Sequence, residues 1–148
     1  MESNLQLRRL TASHYPALLE LWTEAGLPLK PQGRDSEDEY RRQLPLPQLA
    51  FFGLFDRETD ELVATILVSH DGRKGWLNRL AVQPDYRRRG LGRRLIDHAE
   101  EWLREQDIGI YACLIEGGND TSLATFKSCG YLDFDGIHYL TKRIKPDI

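Results

Sequence analysis

The run Arg87-Arg-Arg-Gly90-Leu-Gly92-Arg-Arg94 sets cationic side chains around two glycines. It lies between the strand-like Leu80–Val82 and a stretch with apolar residues at helical spacing, so it reads as a basic turn feeding a helix. Such a turn is suited to holding an anion. The first amides of a helix have no intrahelical acceptor, and the helix dipole adds roughly half a positive charge there. Gly90 and Gly92 would clear side chains from the path of a pyrophosphate, while Arg87, Arg88, Arg89 and Arg93 add charge at the rim. A solvated arginine-rich helix start has the same composition, so the run alone does not decide. Other phosphate motifs fit less well. No Gly-x-x-x-x-Gly-Lys-Ser/Thr occurs, and Gly90-x-Gly92 lacks the third glycine of the dinucleotide fingerprint.

The elements around this turn follow from periodicity. Asn4–Leu10 alternates Leu5 and Leu7 with polar residues, and Thr11 offers an N-cap to a helix carrying Tyr15, Leu18, Leu19 and Trp22. Gly26 ends that helix. A proline-rich stretch to Gln48 holds one short helix between Ser36 and Gln43. Leu49–Phe55 and Leu62–Ser69 flank the polar turn Asp56–Asp60 and predict a hairpin, and Asp71-Gly72 leads into a third antiparallel strand, Trp76–Val82. Leu91, Leu95, Ala99 and Trp102 mark one stripe of a helix to about Gln106. Ile108–Ile115 predicts a strand, 120–128 a helix stopped at Gly130, and Tyr131–Phe134 and Ile137–Lys142 two more strands. A helix crossing between the fourth and fifth strands makes them parallel. The expectation is an α/β (α+β) fold on one mixed, mostly antiparallel sheet of six to seven strands, flanked by about four helices, with residues 1–148 as a single domain.

Bulk properties narrow the function. The 148 residues are 41% hydrophobic and 29% charged, the balance of an ordinary globular chain with one core. A net charge of −3 argues against a general nucleic-acid binder. The amino-terminal stretch pairs no basic region with an apolar one, which predicts neither export nor a membrane span and points to the cytoplasm. Cys113 and Cys129 form no Cys-x-x-Cys pair and predict small buried residues, not metal ligands.

Arg87-x-x-Gly90-x-Gly92 is similar to the signature Arg/Gln-x-x-Gly-x-Gly/Ala of the GCN5-related N-acetyltransferase (GNAT) family. Asn119 and Phe126-Lys-Ser-Cys-Gly130-Tyr131 resemble that family's Asn-x-x-Ala-x-x-x-Tyr-x-x-x-Gly-Phe element. The two motifs span about a third of the chain. The resemblance implies splayed fourth and fifth strands and acetyl-coenzyme A as acyl donor, without a metal. It places the pantetheine arm against the backbone of Leu80, Ala81 and Val82, and the pyrophosphate on amides from Arg88 through Leu91 to Arg93. Asn119 would bond the arm near its thiol, although a helix N-cap accounts for an asparagine there equally. Phe126 would pack against the arm or the core.

Direct transfer to an amine needs a proton acceptor, because an alkylammonium has a pKa near about 10. At period two from Leu80 and Val82 stand Trp76 and Asn78, neither a base. Asn78 with Glu116 acting through a water is the favoured pair; His70 and His138 are alternatives. For the departing thiolate, the family's usual tyrosine is Phe126 here. Solvent, Ser122 or Tyr139 could supply that proton, or catalysis could be lost. The expected oxyanion donor is the Val82 amide.

The acceptor expected from the resemblance is a primary amine of a small molecule or peptide, met between the proline-rich stretch and the last strands. Asp35, Glu37, Asp38 and Glu39 could attract a cation or simply favour a helix start. Trp76, Phe51 and Phe52 could line a pocket or fill the core. A homodimer through an edge strand and the length of the acyl chain stay open. The rival reading is an acyl-coenzyme A-binding regulatory or interaction protein. No nucleic-acid or membrane partner is expected.

Overall fold

The computed structural model describes residues 4–148; the first three positions of the stretch read for an export signal lie outside them. A five-stranded sheet runs in the order β1 (Leu5–Arg9), β2 (Leu49–Asp56), β3 (Leu62–His70), β4 (Gly75–Val82) and β5 (Tyr111–Ala112). The first four strands are antiparallel neighbours, and β4 and β5 are parallel. Helices α1 (Tyr15–Glu24), α2 (Glu37–Gln43), α3 (Leu91–Glu105) and α4 (Asp120–Ser128) complete the fold.

Both faces of the sheet are covered, which is why β2 and β3 read as nearly continuous apolar runs. Phe52 and Leu54 pack with Leu95, Ile96 and Leu103 of α3 in one core cluster; Phe51 and Phe55 pack with Leu18, Leu21 and Trp22 of α1 in the other. Phe51 and Phe52 are therefore core residues. In α3 the buried stripe ends on Leu103, while Trp102 is half-buried against the His70 ring at 5.8 Å. Gly75 allows the approach of α3, since a Cβ there would sit 2.4 Å from Leu103 Cδ1.

Three helix ends follow sequence logic. Ser36 Oγ accepts the Glu39 N–H at 3.2 Å as the α2 N-cap. At the end of α1, Gly26 takes φ 77°, its N–H bonds Thr23 C=O and the Leu27 N–H bonds Trp22 C=O, forming a Schellman motif. The same pattern closes α4, where Gly130 (φ 94°) bonds Lys127 and Tyr131 bonds Phe126. Thr11 does not cap α1 directly; it precedes a 3₁₀ turn over Ala12–His14 that leads into it.

Two expectations fail. The expected strand over residues 108–115 shrinks to Tyr111–Ala112, and residues 131–134 and 137–142 form no strand. With so short a β5, the outer edge offers no ladder to recruit further strands, and alternation alone cannot hold one. Leu132, Phe134, Ile137, Tyr139 and Leu140 are accordingly exposed. The sheet has five strands, not six or seven.

The feature that most shapes the site is a β-bulge. Thr65 pairs with Ala81 and Leu67 with Asn78, so Arg79 and Leu80 together oppose Ile66. Arg79 takes φ 54°, a left-handed conformation uncommon outside glycine. Its guanidinium is held by Asp35 (Nη2 to Oδ1 3.0 Å and Oδ2 2.9 Å), by the Pro28 carbonyl at 2.7 Å, and above the Trp22 ring at 5.1 Å. Burial lowers the Arg79 pKa, and the Asp35 charge opposes that shift. With side-chain exposures of 14% and 7%, this ion pair is internal. Removing only Asp35 strands a buried cation, so Asp35→Ala is expected to cost about 3 kcal/mol in urea unfolding. Asp35→Ala/Arg79→Met should recover a large part of that loss, and equal destabilisation by both variants would show the pair is not internal in effect.

Candidate active site

The β4–β5 ladder ends at the Trp76–Ala112 pair, so from Leu77 onward β4 has no neighbour on that side. The Gln83 N–H bonds Val63 C=O at 2.8 Å. By antiparallel alternation, Ala81 turns its backbone to Thr65, while the N–H and C=O of Val82 point to the open edge. The Arg87 side chain reaches that edge, with Nε 3.3 Å from the Val82 carbonyl.

At the far end of this edge lies the basic turn. Arg88 (φ 64°) and Gly90 (φ 75°) are both left-handed, and Gly90 is the residue before α3. Turns of this kind gather successive amides into an anion-binding concavity. The first intrahelical bond runs from the Arg94 N–H to the Gly90 carbonyl, leaving the amides of Leu91, Gly92 and Arg93 without an intrahelical acceptor. The arginine side chains are partly tied to local carbonyls: Arg89 to Asp85 and Arg93 to Ser128, each at 3.3 Å. Gly92 does something the sequence did not disclose. A Cβ there would lie 3.3 Å from Thr125 Cγ2 and 3.6 Å from Leu80 Cδ2, so this glycine also lets α3 approach α4.

A cleft of ≈ 890 Å³ opens between the splayed strands. It is bounded by the segment after α1, the β4 bulge, the loop from Cys113 to Asn119, Ser122 and Phe126 of α4, and Tyr139 and Arg143. Asn78 and Glu116 both line it, as do Leu80, Asn119 and Phe126. Asn119 is the α4 N-cap: its Oδ1 accepts the Ser122 N–H at 3.2 Å, which leaves the side-chain amide donors available. The cap and ligand readings are thus compatible.

The bulge corrects the assignment of faces on β4. Leu77, Leu80 and Val82 join the core cluster under α3, while Ala81 belongs to the opposite cluster with Trp22. Trp76 and Asn78 therefore do not share the Leu80/Val82 face, because the extra residue inverts the alternation. Trp76 does not line the cleft; Lys74 Nζ sits 5.5 Å from its ring centroid.

Neither histidine alternative reaches the cleft lining. His70 Nδ1 accepts the Gly72 N–H at 3.0 Å, and His138 is exposed. The acidic cluster is largely engaged internally: Asp35 with Arg79, Glu37 with Arg41 at 3.1 Å, and Glu39 with Arg42 at 2.7 Å. Phe126 is 3% exposed and meets Tyr131 edge-on at 5.0 Å. Tyr131 in turn donates to Glu100 Oε2 at 2.7 Å. Both cysteines are half-buried and free; burial pushes the Cys113 thiol, which lines the cleft, up to about 11. Sequence reasoning missed Arg34, Arg79 and Arg143 in the cleft, since nothing local marks an arginine on a strand, loop or tail as inward-facing.

Among the described residues no cluster of three or more His, Cys, Asp or Glu could hold a metal, and no helix is long and apolar enough to cross a membrane. The acetyltransferase (GNAT) family model matches residues 15–131, a stretch containing the bulge, the basic turn and the Asn119-capped helix. Acetyltransferase SG1711 of Sodalis glossinidius (strain morsitans) is 27% identical over 143 residues, covering 97% of this chain and 98% of its own length. Acetyltransferase ECA0875 of Pectobacterium atrosepticum is likewise 27% identical, over the same shares. Among solved structures, the PaiA N-acetyltransferase of Thermoplasma acidophilum in complex with coenzyme A aligns with a TM-score of 0.74 at 20% identity, covering 89% of this chain and 93% of that one. The aminoglycoside 6'-N-acetyltransferase AAC(6')-Ih of Acinetobacter baumannii aligns with a TM-score of 0.77 at 18% identity, covering 95% and 99%. At such identities the structural likeness is one of fold, and it joins the family match over most of the chain in one conclusion: this protein belongs to the GNAT acetyltransferase family.

Proposed function

We propose that the protein transfers an acetyl group from acetyl-coenzyme A directly to a primary amine of a small molecule or peptide in the cytoplasm. The observation that carries this reading is the unpaired β4 edge running from Leu77 to Val82 and ending at the Gly90 turn. An amide-rich pantetheine arm can complete that edge as a strand would, and a pyrophosphate suits the free amides of Leu91, Gly92 and Arg93. These residues fit the cofactor, which supplies an acetyl thioester as the electrophile.

The chain's own groups supply the rest. The Val82 N–H faces the open edge by the alternation of β4, which supports reading it as the donor to a developing oxyanion. Asn78 orients a water, and Glu116, exposed on the cleft wall, receives the amine proton through it. Asn119 offers its side-chain amide to the arm. Ser122 and Tyr139, both on the cleft, are the hydroxyls nearest in kind to the tyrosine that Phe126 replaces. A thiolate is a good leaving group, so solvent protonation suffices where neither hydroxyl reaches it.

Coenzyme A at a hundredfold excess over its Kd should stabilise the protein by about 2.7 kcal/mol. Gly92→Ala probes crowding against Thr125, and Gly92→Glu adds a carboxylate among the amides. We expect Gly92→Glu to lower coenzyme A affinity at least about tenfold below Gly92→Ala, and equal affinities would remove the pyrophosphate from this turn. With an amine panel and thiol release as readout, Glu116→Gln should lower kcat/KM about a hundredfold at pH 7. The deficit should shrink toward pH 10, where the amine sheds its own proton. A pH-independent change of less than about threefold would assign no base role to Glu116. Stabilisation by coenzyme A with no thiol release from any amine would favour the non-catalytic binder.

A further inference from the structure

We infer that the acceptor carries a carboxylate close to its reacting amine, and that Arg34 recognises it; this rests on the acetyltransferase reading above. The charged side chains on the cleft are Arg34, Arg79 and Arg143 against Asp35 and Glu116. Arg79 and Asp35 satisfy each other at 2.9 and 3.0 Å, and Asp35 Oδ2 also accepts the Lys30 N–H at 2.8 Å. Little acceptor capacity on Asp35 is left over.

Arg34 is the more weakly engaged of the two arginines beside Asp35. Its Nε lies 3.7 Å from Asp35 Oδ2, beyond hydrogen-bond range. Among the described residues that Nε is buried from solvent and has no hydrogen-bond acceptor, while the side chain as a whole is 37% exposed. A guanidinium is a planar fork of five donors, matched in geometry to a carboxylate. Here one lines the cleft beside a carboxylate already committed to Arg79 and the Lys30 N–H, and its solvent-exposed part offers N–H donors to a bound carboxylate. Arg143 adds a second cation to the same cleft; one of its nitrogens donates to the Ile148 carbonyl.

The same inventory argues against a polycation. Beyond the Arg79–Asp35 pair, the cleft is lined by Arg34 and Arg143 and by one further carboxylate, Glu116. Glu37 and Glu39 are paired along α2 and do not line the cleft. A polyamine or aminoglycoside would meet cationic walls, whereas an acidic amine would find a donor fork on one side and the proton-accepting Glu116 on another.

The test compares peptide amides that share an α-amine and differ in one carboxylate: Glu-Ala-amide and Asp-Ala-amide against Gln-Ala-amide and Asn-Ala-amide, with spermidine and kanamycin as cationic probes. Thiol release from acetyl-coenzyme A is measured for the full chain. At least one acidic peptide should exceed its amide counterpart by about tenfold or more in kcat/KM. Arg34→Gln should cut that preference below about threefold through KM, and Arg34→Lys should restore part of it. Equal or better turnover of the neutral peptides or the polycations overturns the inference while leaving the acetyltransferase reading intact. Loss of coenzyme A affinity in Arg34→Gln, with acceptor KM unchanged, overturns it by giving this guanidinium to the cofactor phosphates. No turnover of any amine, despite stabilisation by coenzyme A, overturns both readings together.

Discussion

The extra residue in β4 is the constraint on which the site depends. By setting Arg79 and Leu80 against Ile66 alone, the bulge turns the strand so that Leu77, Leu80 and Val82 face α3 while Asn78 lines the cleft. A non-glycine residue at φ 54° costs on the order of 1–2 kcal/mol, and its charge would cost more in a dry setting. Asp35, the Pro28 carbonyl and the face of Trp22 offset both. The same contacts tie the segment after α1 to the sheet. Under the proposed function, the wall that meets the acceptor is thereby tied to the strand that meets the thioester, with the Arg79–Asp35 ion pair at the centre of the coupling.

The second organising feature is the end of α4. Phe126 and Tyr131 stand at the two positions whose side chains touch across a Schellman motif, and their rings meet edge-on at 5.0 Å. Gly130 is required there because the turn needs φ 94°. The motif that resembles a family signature is thus a helix stop first. The same stop anchors α4 against the core, which holds the Asn119 cap at its other end on the cleft. Phe126 serves packing and cleft at once: its ring is buried, yet it forms part of the floor. A phenol in that place would have to keep the ring contact while sending its hydroxyl into the cleft.

What the sequence disclosed was whatever is periodic or local. The 3.6-residue stripe located α3, the N-cap reading of Asn119 and the stop at Gly130 bracketed α4, and the polar turn at Asp56–Asp60 located the β2–β3 hairpin. The anion-binding turn was legible because it depends on glycines and backbone amides in one short run. The bulge was not, since its pivot is an arginine and its partner Asp35 lies 44 residues earlier. Counting by two across a bulge put Asn78 and Trp76 on the wrong face. The two carboxyl-terminal strands were over-read because alternation signals a willing strand but not a willing edge. Asp35 looked like part of a solvated acidic cluster, and only tertiary contacts show it buried at 8% exposure.

Cys113 bears on the order of chemical events. Its thiol lines the cleft, and a cysteine there could in principle take the acyl group first. Burial pushes its pKa up to about 11, so at pH 7 the thiolate that such a step needs is scarce. Desolvation is the cause of the shift. An acyl-enzyme on Cys113 is therefore disfavoured by the burial that keeps its thiol protonated. Under the proposed function, donor and acceptor must then occupy the cleft together. That requirement matches a cleft with two chemically distinct ends, one leading along the open β4 edge to the amide-rich turn, the other walled by Arg34 and the bulge.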